Sequence, residues 1–330
     1  MTFLKINNLS VNYEMRRETV YAAKEVNINV EKGEILGLVG ESGSGKSTVG
    51  NAIINLIDEP GKVSGGSIIL DGTDIYENPE NILKLRGKKI GLIFQDPQTS
   101  LNPILTIGEQ LIETIQTHLK LNTEEAKNKA IKLLQEVGIK DAEIRFSNYP
   151  HQFSGGMRQR VMIAIALACS PPILIADEPT TALDVTIQAQ ILELLNDLRN
   201  SEGMGMILIT HDLGVIARLA DRVAVMYAGQ IVETGSAEDV YANPSHPYTQ
   251  GLLESLPRHD QEHSSTERLT SIDGQPPNML DPIDGCPFAE RCKYVFDRCK
   301  TENPNLIVLE GQHSSACWWD MKNECERTVE

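Results

Sequence analysis

The chain has 330 residues and a formal net charge of −16, with 30 Lys and Arg against 46 Asp and Glu. That balance argues against a protein that grips nucleic acid by its phosphates, which takes a basic surface, though it leaves room for a small local cationic site. The length suggests two domains, or one large domain with an appendage. The longest apolar run, near VMIAIALAC at 161–169, is far short of the ~20 residues a membrane-spanning helix needs. The opening stretch MTFLKINNLSVNY lacks the basic head and long apolar core of a secretory signal. A cytosolic setting is therefore expected, where structural disulfides are disfavoured.

In chain order, FLKINNLSVNY (3–13) and EVNINV (25–30) read as strands. EILGLVG (34–40) is a short buried strand ending in glycine, and a helix is predicted from Lys46 through STVGNAIINLI. GGSIILDG and KKIGLIFQ are further strands. From Thr106 to Gly138 the apolar period changes to 3.6, which predicts a helical insert with Asn122 or Thr123 as an N-cap. ILIAD (173–177), GMILIT (205–210) and RVAVMYAG (222–229) are buried-type strands separated by helical patterns. Such alternation means a parallel sheet with crossover connections. After about Leu256 the pattern fades into RHDQEHSSTERLTSIDGQPP, a polar linker or surface loop.

GESGSGKS (40–47) follows a strand and opens a helix, the context of a phosphate-cradling P-loop. Gly40, Gly43 and Gly45 let the backbone turn so that amides, including those of Ser42, Ser44 and Thr48, face phosphate oxygens. Lys46 reaches the β- and γ-phosphates, and the Ser47 hydroxyl ligates Mg²⁺. Asp177 sits at the carboxyl end of ILIAD, where sheet ligands bind, and can hold Mg²⁺. Glu178, one residue on, can deprotonate a water attacking the γ-phosphate. Gln95 and His211 stand at strand ends from which each can reach the phosphates. Ser154-Gly155-Gly156 precede an apolar helix and form a second anion-suited helix start. One nucleotide does not need both on the same molecule.

HQFSGGMRQRV, together with the motifs above, resembles the ABC ATPases over about residues 1–255. FSGGMRQ stands where that family has LSGGQ, with Phe153 for Leu and Met157 for Gln. The resemblance implies an α/β P-loop NTPase (RecA-like) core with an antiparallel β subdomain and a helical subdomain at about 97–165. It implies ATP and Mg²⁺, with Ser47, Gln95 and Asp177 at the metal. Glu178, His211 and Gln95 are then the catalytic set, and TALD (181–184) is a loop whose Asp184 serves the nucleotide interface. Two such domains pair head to tail, each ATP lying between one chain's P-loop and the other's Ser154–Gly156. An aromatic residue stacks on adenine, Tyr13 being the first candidate and Tyr21 the second.

QDPQTSLNP (95–103), SHPYTQGLL (245–253) and GCPFAERC narrow the resemblance to the ATPases of dipeptide and oligopeptide importers, whose kin include nickel importers. Residues 256–330 then form a small cysteine-rich extension. The implied setting is the cytoplasmic face of the cell membrane. The implied partners are a second ATPase subunit, two integral-membrane permease subunits and an external peptide-binding protein. Other classes stay open: a soluble ABC ATPase with a zinc module, or an ATP-gated redox sensor.

Cys286, Cys292, Cys299 and Cys317 are spaced C-x5-C-x6-C-x17-C, without the tight C-x(2–4)-C knuckle usual for zinc. Wider spacing suits a cubane cluster, whose iron corners lie further apart than the ligands of one ion. The family resemblance implies a 4Fe-4S cluster here; zinc and buried or paired thiols remain alternatives. Cys325 reads as a spare, Cys169 as core, and His313 as a solvated loop residue.

Overall fold

The computed structural model describes residues 2–77, 79–181, 183–256, 272–280 and 283–327. Most of the expected polar linker (258–271) and residue 182 of TALD lie outside the described residues.

The chain opens with two long strands, β1 (Thr2–Glu14) and β2 (Thr19–Glu31), in which buried and open positions broadly alternate. Every residue of β3 (Ile35–Val39) is buried. Helix α1 (Lys46–Ile53) is shorter than the pattern suggested, ending before Asn55, which takes a left-handed conformation. Strands β4 (Gly61–Leu70) and β5 (Thr73–Asp74) form a hairpin around Asp71 and Gly72, both at positive φ. Helix α2 (Pro79–Leu85), strand β6 (Ile90–Ile93) and helix α3 (Pro97–Ser100) follow.

Helices α4 (Ile107–Leu119) and α5 (Thr123–Glu136) each begin with a capping box, Thr106 with Glu109 and Asn122 with Glu125. Each box satisfies two orphan amides, and such an N-cap contributes typically ~1 kcal/mol. Then come α6 (Ala142–Arg145), α7 (Gly155–Ala166), β7 (Ile173–Asp177), α8 (Val185–Glu202), β8 (Gly205–Thr210) and α9 (Leu213–Leu219). The chain continues with β9 (Arg222–Tyr227), β10 (Gln230–Ser236), α10 (Ala237–Ala242) and α11 (Pro247–Glu254). The tail contributes α12 (Asp297–Thr301), β11 (Ile307–Glu310), β12 (His313–Ser315), β13 (Trp319–Asp320) and β14 (Cys325–Glu326).

The chain divides into two compact units. The first comprises Met1–Leu4, Val30–Glu34 and Ile69–Ile209. Its sheet runs β8-β7-β6, all parallel neighbours, and β7 and β8 are buried along their whole length. Burial on both faces is what a parallel sheet with crossover helices requires. Gly91 in β6 is needed, since a Cβ there would sit 2.6 Å from the Ala166 carbonyl at the end of α7. α4 packs on α5, and both pack on α7; Leu111 and Ile115 of α4, Leu134 of α5 and Val161 of α7 are buried.

The second unit comprises Lys5–Asn29, Ile35–Ile68 and Thr210–Glu330. One sheet orders its strands β2-β1-β4; the other runs β11-β12-β10-β9-β3. β3 and β9 are parallel, whereas β9, β10, β12 and β11 pair antiparallel. The tail thus continues a sheet instead of hanging from it. The expected solvated His313 is corrected by the same feature: it lies in β12 and is buried.

Candidate functional site

In the second unit, the loop from Gly40 to Ser47 turns on three glycines with φ of 153° (Gly40), 79° (Gly43) and 101° (Gly45). A Cβ on Gly40 would meet the Met226 carbonyl at 2.1 Å, and one on Gly45 the Ala22 carbonyl at 2.2 Å. Both positions exclude any side chain. Lys46 is 4% exposed, and its Nζ donates to Gly40 O and Glu41 O at 2.8 Å each and to Ser44 Oγ at 3.3 Å. The ammonium is thus folded back into the loop it belongs to. Ser42, Gly43 and Ser47 are exposed, Gly45 and Thr48 half-buried, and Ser44 buried.

Glu41 is held at its amide and at its carboxylate within the same unit. Its amide donates to Tyr248 Oη at 2.8 Å. Its carboxylate receives a bidentate pair from Arg291, at 2.7 and 3.0 Å. Arg291 in turn donates to Tyr227 Oη at 3.3 Å, and the carboxylate raises the guanidinium's pKa further above its usual range. Sequence reasoning assigned no role to Glu41, Arg291 or Tyr248. Of the adenine candidates, Tyr13 packs over Gly61, where a Cβ would touch its ring at 2.6 Å. Tyr21 lines a cavity of about 390 Å³ with Lys24, Met279 and Ile283. His211 is exposed directly after β8, followed by Asp212, which caps α9.

In the first unit, Asp177 is the buried last residue of β7. Glu178 follows with φ 45°, fixed by its amide donating to Ile209 O at 2.9 Å. Such a left-handed non-glycine residue is uncommon and marks a constrained position. Glu178 Oε2 accepts from Gln95 Nε2 and from Thr181 Oγ1, at 2.8 Å each. Two predicted site residues are therefore in direct contact. β6 ends at Ile93, so Gln95 lies in the bend beyond the strand rather than at its end. Asp184 caps α8 by accepting from Ile187 N at 3.0 Å. Ser154 caps α7, accepting from Met157 N at 3.4 Å, and both Ser154 and Gly155 are exposed. Gly156 is crowded, since a Cβ would lie 2.8 Å from Ile187. Phe153 is 3% exposed, so its aromatic ring is part of the core.

All four expected cysteine ligands line one small pocket in the second unit, together with His246, Phe288, Tyr294, Trp318 and Trp319. Tyr294 N donates to Cys292 Sγ and Trp319 N to Cys317 Sγ, at 3.4 Å each. Burial pushes the Cys286 and Cys317 thiols up to about 12 and raises that of Cys292. Among the described residues, no group of three or more His, Cys, Asp or Glu side chains could hold a metal ion. Cys325 is exposed. Cys169, expected in the core, is only half-buried, its thiol nonetheless raised by desolvation.

Beside this pocket, Glu233 is 0% exposed. Its carboxylate accepts from Ser245 N at 2.6 Å and His246 N at 2.9 Å, and lies 2.7 Å from His313 Nε2. A buried carboxylate needs such partners, which explains why His313 is interior. The signal for this network was SHPYTQGLL, noticed in the sequence but given no physical role.

The glycine loop, the Asp177–Glu178 strand end and the capped Ser154 helix define an ATPase of the P-loop, ATP-binding cassette class. A family model described as "ABC transporter" matches residues 23–181. A second, "Oligopeptide/dipeptide transporter, C-terminal region", matches residues 232–299. The chain belongs to the ATP-binding subunits of the oligopeptide/dipeptide ABC transporter family. It is 49% identical to the oligopeptide transport ATP-binding protein OppD of Bacillus subtilis (strain 168), over 96% of this chain and 88% of that protein. It is 47% identical to the dipeptide transport ATP-binding protein DppD of Escherichia coli (strain K12), over 100% of both. Among solved structures it is similar to a dimeric ATP-binding cassette in a post-hydrolysis state bound to ADP and Pi. That likeness has a TM-score of 0.64 and 34% identity, covering 71% of this chain and 98% of the other.

Proposed function

We propose that this chain is the ATP-hydrolysing subunit of an importer of di- or oligopeptides, acting at the cytoplasmic face of the membrane. The observation that carries the reading is the likeness to peptide-transport subunits through the tail, residues 232–299. No described helix is long and apolar enough to cross a membrane, so transport needs permease partners. OppD and DppD are named for oligopeptide and dipeptide transport, which favours peptide over nickel and over a soluble ATPase with a zinc module.

The P-loop amides and Lys46 hold the phosphates, and Tyr13 stacks on adenine. The resemblance to ABC ATPases assigns Mg²⁺ to Ser47, Asp177 and Gln95, whose oxygen donors are of the type that suits it; when bound it would neutralise phosphate charge. Glu178, steadied by Gln95 and Thr181, takes the proton of the attacking water. His211 clamps the γ-phosphate. Ser154, Gly155 and Gly156 complete the site of a second ATPase subunit, with Asp184 at the same interface. The exposure of Ser154, Gly155 and Asp184 in a single chain supports this. ATP binding closes the pair and hydrolysis reopens it, moving the permease.

We propose a 4Fe-4S cluster for the cysteine pocket, whose thiols among the described residues offer no site for a single metal ion. Its donor set is four thiols and no oxygen, it is walled by aromatic rings, and backbone amides already point at two of the sulfurs. When bound, the cluster supplies four iron–thiolate bonds and a one-electron couple. Cys286, Cys292, Cys299 and Cys317 hold it and thereby staple a tail too small for a core of its own. Peptide uptake by the reconstituted transporter, driven by ATP and lost in Lys46→Ala, tests the first assignment. The visible spectrum with iron and sulfide content of anaerobically purified protein tests the second: a colourless, zinc-loaded protein rejects the cluster.

A further inference from the structure

Among the described residues, two of the buried N–H groups that lack an acceptor belong to residues that line the cysteine pocket. His246 is 1% exposed, and its Nδ1 accepts from Tyr248 N at 3.1 Å as the N-cap of α11. An acceptor nitrogen carries no proton, so the ring proton of the neutral imidazole sits on Nε2. Nε2 is buried without a hydrogen-bond partner, and so is Trp319 Nε1. The neighbouring Trp318 differs, its Nε1 donating to Glu302 O at 3.0 Å. An unpaired donor in the interior is costly, and two such donors belong to residues around this one pocket.

Fixation of the His246 tautomer decides between two roles. A histidine that ligates iron through Nε2 presents a lone pair there and carries its proton on Nδ1. The bond from Tyr248 N forbids that arrangement. His246 is thus a donor toward sulfur and not a fifth ligand. Its position is enforced from behind, because Glu233 grips the amides of Ser245 and His246 and is itself braced by His313.

The geometry points to His246 Nε2–H and Trp319 Nε1–H as hydrogen-bond donors to the sulfur atoms of the four-cysteine iron–sulfur cluster, setting its reduction potential. This inference rests on the cluster assignment above. Reduction adds negative charge, and donors to sulfur stabilise the more negative state, so both bonds raise the potential. The SHPY segment is then a polar wall of the cluster pocket as well as a helix cap.

The test uses the full chain, purified without oxygen, in three forms. His246→Asn keeps an oxygen where Nδ1 accepts from Tyr248 but lacks the distal N–H. Trp319→Phe keeps a ring but lacks Nε1–H. Mediated redox titration is expected to show a more negative midpoint in each variant than in the parent. Pulsed EPR of the reduced parent, labelled with ¹⁵N in its histidine rings, is expected to show a nitrogen coupling that His246→Asn loses. Unchanged midpoints in both variants, or no histidine coupling in the iron-loaded parent, overturn this inference and leave the cluster standing. A parent without iron and sulfide overturns both.

Discussion

Exchanging Glu178 for Gln isolates the chemical step from everything else the residue does. The substitution removes a charge and a proton acceptor but keeps the size of the side chain. Gln95 Nε2 and Thr181 Oγ1 both donate to Glu178 Oε2, and an amide oxygen in its place accepts from both. The strained backbone, with φ 45° and the amide bonded to Ile209 O, does not involve the side chain. Position is therefore preserved and basicity is lost. A general base contributes about 10²–10⁴-fold, or roughly 3–5 kcal/mol of barrier at about 1.4 kcal/mol per decade. Phosphate release at saturating Mg-ATP is expected to fall by at least about a hundredfold. Binding of a fluorescent ATP analogue stays near parental, and an ATP-bound closed dimer accumulates on gel filtration. Turnover within about threefold of the parent would refute Glu178 as the base.

Three further outcomes follow from packing. Gly45→Ala puts a Cβ 2.2 Å from the Ala22 carbonyl at φ 101°. At least about 1–3 kcal/mol of strain results, read as a lower melting temperature and loss of ATP binding. Arg291→Leu strands the Glu41 carboxylate, whose side chain keeps 29% exposure. The expected loss is about 1–3 kcal/mol, below the 3–5 kcal/mol of a fully buried pair because water still reaches Glu41; equilibrium denaturation measures it. Glu233→Leu leaves Ser245 N, His246 N and His313 Nε2 without their acceptor. At about 1–3 kcal/mol per orphaned donor, the tail is expected to become protease-sensitive ahead of the rest of the chain.

The glycine loop, the acidic strand end and the serine helix cap were legible because each lies in a short local pattern with a physical reason: glycines where φ is positive, an acid at the end of an all-apolar strand, a serine before a helix. The buried strands β3, β7 and β8 were legible for the same reason, as continuous apolar runs. What escaped was non-local. Glu41 and Arg291 are 250 positions apart, and no periodicity joins them. His313 was misread because a polar, glycine-flanked stretch looks like a loop, and its burial depends on Glu233, which reads locally as an ordinary polar position in a strand. The tail's role as sheet edge was hidden similarly, since β12 is short and pairs with β10 some 80 residues earlier, while β11 joins the sheet through β12.

The central claim is that two ATPase subunits share each nucleotide. The most direct measurement is a structure of the transporter carrying Glu178→Gln with bound Mg-ATP. The Ser154 hydroxyl and the Gly155 and Gly156 amides are predicted to lie within hydrogen-bond distance of the γ-phosphate held by the facing subunit's P-loop. Finding Ser154 in solvent, with ATP enclosed by one subunit alone, would contradict the account.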